Sequence, residues 1–175
     1  RGRRHRLGQH FLVDRGVARG IVELLAPEPA RVVEIGPGRG ALTEPLLERF
    51  GRVLAVELDP ALADALEGRL GGAGLELHRG DALRLHFAEL LRAEAPWQLA
   101  ANLPYSVGTA VLRRLLPLGS LFTRLVVMLQ AEVAERVVAT PGERNHGLLA
   151  LERAAWADAR IALRVGPKAF RPRPQ

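Results

Sequence analysis

Apolar positions along this chain gather into short uninterrupted runs, separated by longer stretches in which apolar and charged residues alternate at helical spacing. Residues 31–35 form an apolar run too short for a globular helix. It stops at Gly36, Gly38 and Gly40, and residues 41–50 then read as a helix. Before it, Asp14 can cap a helix whose apolar face is Val17, Ile21, Val22, Leu24 and Leu25, closed by Pro27 and Pro29. After it, the pattern predicts a strand over 52–58, a turn at Asp59-Pro60 and a helix over 61–70. Gly71, Gly72 and Gly74 break the chain before a strand over 75–79. A helix over 87–94, a strand over 97–101, a helix over 109–116 and a strand over 124–129 follow. Helices over 131–139 and 148–156 flank a polar loop at 141–147, and 159–165 reads as a last strand. Strands that alternate with helices imply an α/β fold, a mostly parallel sheet with helices on both faces.

Ligands of such sheets bind beyond the carboxyl ends of the strands, where the strand order reverses. The informative residues are therefore those just past each strand. Glycine at Gly36, Gly38 and Gly40 lets the backbone turn tightly and lets a ligand approach its peptide groups. Glycine turns also end strands that bind nothing, so this turn alone marks a candidate site for a nucleotide-like ligand. Its spacing misses the G-x-G-x-x-G dinucleotide pattern by one position, and no Tyr/Lys proton relay is present, which argues against a nicotinamide-dependent oxidoreductase.

Glu57 ends the second strand, 21 positions after Gly36 (57 − 36), where an acid can accept hydrogen bonds from two ribose hydroxyls. Asp81 is placed to accept an adenine amine, or equally to cap the next helix. Together with the glycine turn they describe a ligand with an adenosine end. A turn beside Glu34 with no flanking lysine suits an amino-acid tail better than a pyrophosphate. S-adenosylmethionine meets those requirements. Asn102-Leu103-Pro104-Tyr105 adds backbone and amide acceptors held by a proline. Acceptors that bind the N–H groups of an exocyclic amine would aim its lone pair at a methyl sulfonium, and Tyr105 offers a face for a base that has left its helix. The same string is equally compatible with an ordinary turn and a packed tyrosine.

Composition narrows the classes further. The chain has 175 residues, 48% of them hydrophobic, enough for the core of one α/β domain. It has no cysteine, and its five histidines show no H-E-x-x-H spacing, so neither disulfides nor a structural metal is expected. No apolar run is long enough to span a bilayer and no signal-peptide pattern is present, so a cytoplasmic chain without membrane partners is expected; a monomer is the separate expectation for its assembly. A formal charge of +6 and a pI near 11.2 favour polyanionic partners. Lys168 is the only lysine, so part of the arginine excess is general, yet basic residues cluster at both ends.

The strings Gly8-Gln9-His10-Phe11-Leu12, Glu34-Ile35-Gly36-Pro37-Gly38, Val56-Glu57-Leu58-Asp59, Gly80-Asp81-Ala82, Asn102-Leu103-Pro104-Tyr105, Leu129-Gln130-x-Glu132-Val133 and Phe170-x-Pro172-x-Pro174 stand in this order. In that order the chain resembles the ribosomal RNA adenine N6,N6-dimethyltransferases, and within them the small-subunit dimethyladenosine transferases. The macrolide-resistance methyltransferases of the large subunit are the nearest alternative, and a non-enzymatic ribosome-assembly or transcription factor is another. The resemblance implies a Rossmann-like S-adenosylmethionine-dependent methyltransferase fold acting on ribosomal RNA of the small ribosomal subunit. It implies that His10 and Leu12 line the cofactor site, that Gly36 and Gly38 adjoin the methionine part, that Glu57 holds the ribose, and that Asp81 with Ala82 holds the adenine. Asn102 would touch both cofactor and target amine within the Asn102, Leu103, Pro104 turn, while Tyr105 and Phe170 would sandwich the flipped adenine. The family often has asparagine at the position of His10, and an aromatic such as Phe170 near a terminus is commonly packing.

Residues 1–12 are expected to be a basic arm and cofactor-lid segment, and residues 13–175 the catalytic domain. The family's final strand and helical C-terminal domain are expected to be absent, leaving a gap in the sheet and a fragment that binds RNA weakly.

Overall fold

The computed structural model describes residues 10–104 and 106–174. The basic arm at 1–9 and the predicted stacking residue Tyr105 lie outside the described residues. The elements are β1 (Phe11–Leu12), α1 (Arg15–Glu23), β2 (Val32–Ile35), α2 (Thr43–Phe50), β3 (Val53–Glu57), α3 (Pro60–Leu70) and β4 (Leu75–Arg79). They continue with α4 (Phe87–Leu91), β5 (Trp97–Asn102), α5 (Gly108–Leu115), β6 (Phe122–Met128), α6 (Ala131–Val138), α7 (Leu148–Ala154) and β7 (Phe170–Arg171).

Five strands form a parallel sheet in the order β4-β3-β2-β5-β6. Every residue of β2 and β3 is buried, as expected of strands covered by helices on both faces. On one face Val32, Val53, Ala55 and Ala100 pack with Ala18, Ile21 and Val22 of α1 and Leu46 of α2. On the other, Val33, Ile35, Leu54, Val56, Leu99 and Ala101 pack with Phe87 of α4 and Val111 of α5. Asp14 accepts from the backbone of Gly16 and Val17, and Asp59 from Ala61 and Leu62, so both predicted caps start their helices. The fold is the Rossmann-like α/β arrangement expected from the sequence, and the order of its strands reverses between β2 and β5.

A fully buried glutamine fixes the loop that feeds β2. The Gln98 side chain on β5 accepts from the Ala26 N–H at 2.7 Å and donates to the carbonyls of Ala26 (2.9 Å) and Pro29 (2.8 Å). Gln98→Ala would strand these backbone groups, and a loss of about 2 kcal/mol in urea unfolding is expected. Unchanged stability would show that the loop is held by other contacts.

Two findings differ from the sequence pattern. Residues 159–165 are not a strand: they lack regular structure and are largely exposed. A strand needs a hydrogen-bonding neighbour, and the edge strand β6 is separated from this segment by a cavity lined by both. Conversely, β1 and β7 pair as a two-residue antiparallel ribbon, with Phe11 opposite Arg171 and Leu12 opposite Phe170. Strands so short carry no readable period.

Candidate active site

The carboxyl ends of β2 and β5, on either side of the strand-order reversal, open into a cavity of about 1530 Å³. His10, Leu12, Gly36, Gly38, Glu57, Asp81, Ala82, Asn102, Leu103, Pro104 and Phe170 all line it, so the structure brings every described candidate to one place. The cavity continues along the open edge of β6 to the segment at 157–165.

The glycine turn is shaped by what surrounds it. Gly36, Gly38 and Gly40 have φ of +68°, +55° and +85°, a region that disfavours side chains. A Cβ on Gly38 would stand 3.2 Å from the Phe11 ring, and one on Gly36 would face the Asn102 carbonyl oxygen at 3.8 Å. The turn thus sits between the N-terminal ribbon and β5, and glycine keeps that approach open.

Glu57 is buried (4% exposed) and holds the turn from below. One of its oxygens accepts from the Gly38 N–H at 2.9 Å, the other from Asp59 N–H at 2.9 Å. A carboxylate has about four acceptor positions, so further donors can still be bound. Asp81 does not cap a helix. Its Oδ1 accepts from Leu83 N–H at 2.8 Å and its carbonyl from Arg84 and Leu85, which closes a turn ahead of α4. Asn102 lies half-buried at the end of β5, and its Nδ2 donates to the His10 carbonyl at a long 3.4 Å. The Pro104 carbonyl accepts from Val107 and Gly108, so the proline turn leads directly into α5. Phe170 is 7% exposed and packs with Leu12, Ile21 and Ala169 while also bordering the cavity.

A buried carboxyl in the cavity wall takes its partner from α2. Glu34, 2% exposed, lies between Ala55 and Ala100 of the neighbouring strands and accepts from Thr43 Oγ1 at 2.7 Å. Burial pushes its carboxyl up to about 8; the Thr43 bond pulls the other way, and the nearby Glu57 adds to the rise. The partner Thr43 opens α2 nine residues later and carries no sequence signal of its own. The contact between Phe11 and Arg39 has no sequence signal: the Arg39 guanidinium stacks 4.7 Å above the Phe11 ring centre. Among the described residues no group of three or more His, Asp or Glu side chains is arranged to hold a metal, and no helix is long and apolar enough to cross a membrane.

The profile of the family described as "Ribosomal RNA adenine dimethylase" matches residues 2–175. The chain belongs to the ribosomal RNA adenine dimethylase family. It is 44% identical over 171 residues to the protein named ribosomal RNA small subunit methyltransferase A of Syntrophotalea carbinolica, covering 97% of this chain and 64% of that one. Among solved structures it resembles a dimethyladenosine transferase from Plasmodium falciparum, with TM-score 0.82, 27% identity, and 95% and 60% of the two chains covered. It also resembles the 23S rRNA methyltransferase ErmE, with TM-score 0.76, 26% identity, and 94% and 65% covered. The chain spans 64% of the length of the first curated relatives it matches.

Proposed function

We propose that this chain forms the methyl-transfer site of an enzyme that moves methyl groups from S-adenosylmethionine to N6 of adenines in small-subunit ribosomal RNA, twice per adenine. The observation that carries this reading is the meeting, at the strand-order reversal, of a glycine turn bonded to Glu57 with the Asn102 turn, in a chain of this family. Residues 13–175 are then the catalytic domain, and residues 1–12 an arm ending in a cofactor lid.

The cavity fits such a cofactor on its own terms. Its wall offers a turn kept bare of side chains at Gly36 and Gly38, and two carboxylates, Glu57 and Asp81, at successive strand ends. Glu57 is assigned the two ribose hydroxyls, Asp81 and Ala82 the adenine ring, Gly36 and Gly38 the methionine part, and His10 and Leu12 the covering side. Bound S-adenosylmethionine would supply a methyl sulfonium, an electrophilic carbon on a neutral leaving group.

The Asn102 amide oxygen and the carbonyls of Asn102 and Leu103, in the turn fixed by Pro104, are assigned the target amine. The lone pair of an adenine N6 is delocalised into the ring, so acceptors on its N–H groups favour the pyramidal nitrogen and fix its direction. These acceptors would hold N6 with its lone pair toward the methyl sulfonium, and the excess N6 proton would pass to solvent. No strong base is required, because that proton becomes acidic only as the new C–N bond forms. Tyr105 and Phe170 are assigned the two faces of the base.

Calorimetry with S-adenosylmethionine is expected to show one-to-one binding, and NADH none. Glu57→Ala is expected to weaken that binding by about tenfold or more, the scale of one charge-assisted hydrogen bond or more. Glu57→Gln, which keeps an acceptor oxygen, should lose less. Absence of heat with S-adenosylmethionine would refute the reading. Methyl incorporation into undermethylated small ribosomal subunits tests the substrate. The likeness to ErmE makes large-subunit RNA the second substrate to assay, and preferential methylation there would shift the assignment.

A further inference from the structure

The ribbon of β1 and β7 touches both sides of the cavity. On the cofactor side the Phe11 ring lies against Gly38, under the guanidinium of Arg39. That part of the turn is itself pinned from α3. Arg69 Nη2 donates to the Arg39 carbonyl at 2.7 Å, its Nη1 pairs with Glu44 of α2 at 2.8 Å, and its guanidinium fills the space that a Cβ on Gly40 would need. On the target side the His10 carbonyl, one residue before Phe11, receives the Asn102 amide. Phe170 sits opposite Leu12 in the same ribbon. Further bonds weld the two strands together: Val13 and Asp14 N–H to the Ala169 carbonyl, and His10 Nδ1 to the Pro172 carbonyl at 2.9 Å.

We propose that this ribbon couples the two halves of the site, so that a ligand on either side strengthens binding on the other, with Arg39 as the positioning residue that ties the ribbon to the glycine turn. The proposal rests on the function assigned above, in which the turn meets the cofactor and Asn102 with Phe170 meets the target adenine.

A two-stranded pairing of two residues per strand has no stability of its own; its place is set by what it packs against. A ligand seated on the glycine turn firms the surface against which Phe11 rests, and the welded ribbon then holds Phe170 and the His10 carbonyl in place for the second ligand. The second binding event orders less of the chain and is therefore tighter. Linkage makes the effect reciprocal: the target must tighten the cofactor by the same factor. Arg39 is exposed, so its contact with Phe11 is separable from the core. The sulfonium is not needed for this coupling, because the ribbon reads occupancy of the turn. S-adenosylhomocysteine is accordingly a sufficient probe.

The test is equilibrium dialysis of radiolabelled S-adenosylhomocysteine against the full chain, with and without saturating undermethylated small ribosomal subunits. The wild-type dissociation constant is expected to fall by about fivefold or more when subunits are present, the lower end of measured allosteric couplings. Arg39→Ala should bring that ratio below about twofold, with the constant for S-adenosylhomocysteine alone changing less than about threefold, while Arg39→Lys, which keeps a cation over the ring, restores most of the coupling. A purely structural loss would weaken both states alike and leave the ratio intact. A wild-type ratio of one, or Arg39→Ala retaining the full ratio, overturns the coupling and leaves the methyltransferase assignment standing. Failure to bind S-adenosylhomocysteine at all overturns the assignment, and the coupling with it.

Discussion

Asn102→Ala is expected to lower methyl incorporation into undermethylated small subunits by about 100-fold or more, with cofactor affinity changed only a few-fold. The magnitude is that of removing one preorganised hydrogen-bonding group aimed at charge developing in the transition state. The geometry explains why the loss should fall on the rate. Asn102 is the last residue of β5, held by the parallel ladder opposite Met128, so its backbone is fixed whatever side chain it bears. Its amide makes only a long bond to the His10 carbonyl, 3.4 Å, which contributes little to folding and leaves the amide oxygen as an acceptor. The cofactor side is built mainly by Glu57 and the glycine turn on β2 and β3, which Asn102 faces with its backbone carbonyl, a group the substitution keeps. Asn102→Asp keeps an acceptor and should retain more activity than the alanine variant. Transfer by Asn102→Ala at the wild-type rate would remove the proline turn from the chemistry and leave it as a packing element.

How much of this site was legible before the structure follows from which residues depend on local order. The glycine turn, Glu57 and Asn102 announce themselves because a short apolar run, a breaker and a helix fix where a strand ends, and strand ends in a parallel sheet converge. The strands at β2 to β6 were legible to within a residue or two for the same reason. What was not legible depends on partners distant in sequence. Residues 159–165 alternate as a strand should, yet without a neighbour to take their backbone hydrogen bonds they remain irregular beside the open edge of β6. The β1–β7 ribbon joins positions about 160 apart through two residue pairs, and the Phe11–Arg39 stack depends on that pairing. Asp81 sits where strand ends converge, but its turn to Leu83 and Arg84 replaces the helix cap that the sequence also allowed. Phe170 belongs to the same buried core cluster as Leu12 and Ile21 and also borders the cavity.

Glu34→Gln is expected to stabilise the protein strongly at alkaline pH and hardly at all near pH 5. The wild-type carboxyl is buried on the sheet face between two alanines, with Thr43 Oγ1 as its hydrogen-bond partner. Burial raises it from 4.5 to about 8. The sign follows from proton counts. Below pH 4.5 the group is protonated in both native and unfolded chains, and stability does not depend on it. Between 4.5 and 8 the native chain keeps a proton that the unfolded chain has released, so stability falls as pH rises, by up to about 1.4 kcal/mol per unit. Above 8 the carboxyl is ionised in both states and the full penalty is constant. Glutamine carries no charge at any pH and still offers Thr43 an acceptor oxygen. The variant should therefore lie within about 1 kcal/mol of the wild type at pH 5 and exceed it by on the order of 3 kcal/mol at pH 9, below the full integral because a buried charge draws in water and local relaxation. Urea unfolding midpoints at the two pH values measure this directly. Parallel pH profiles for the two proteins would mean that Glu34 is already ionised at neutral pH, with a compensating charge or solvent path reaching it through the cavity it lines.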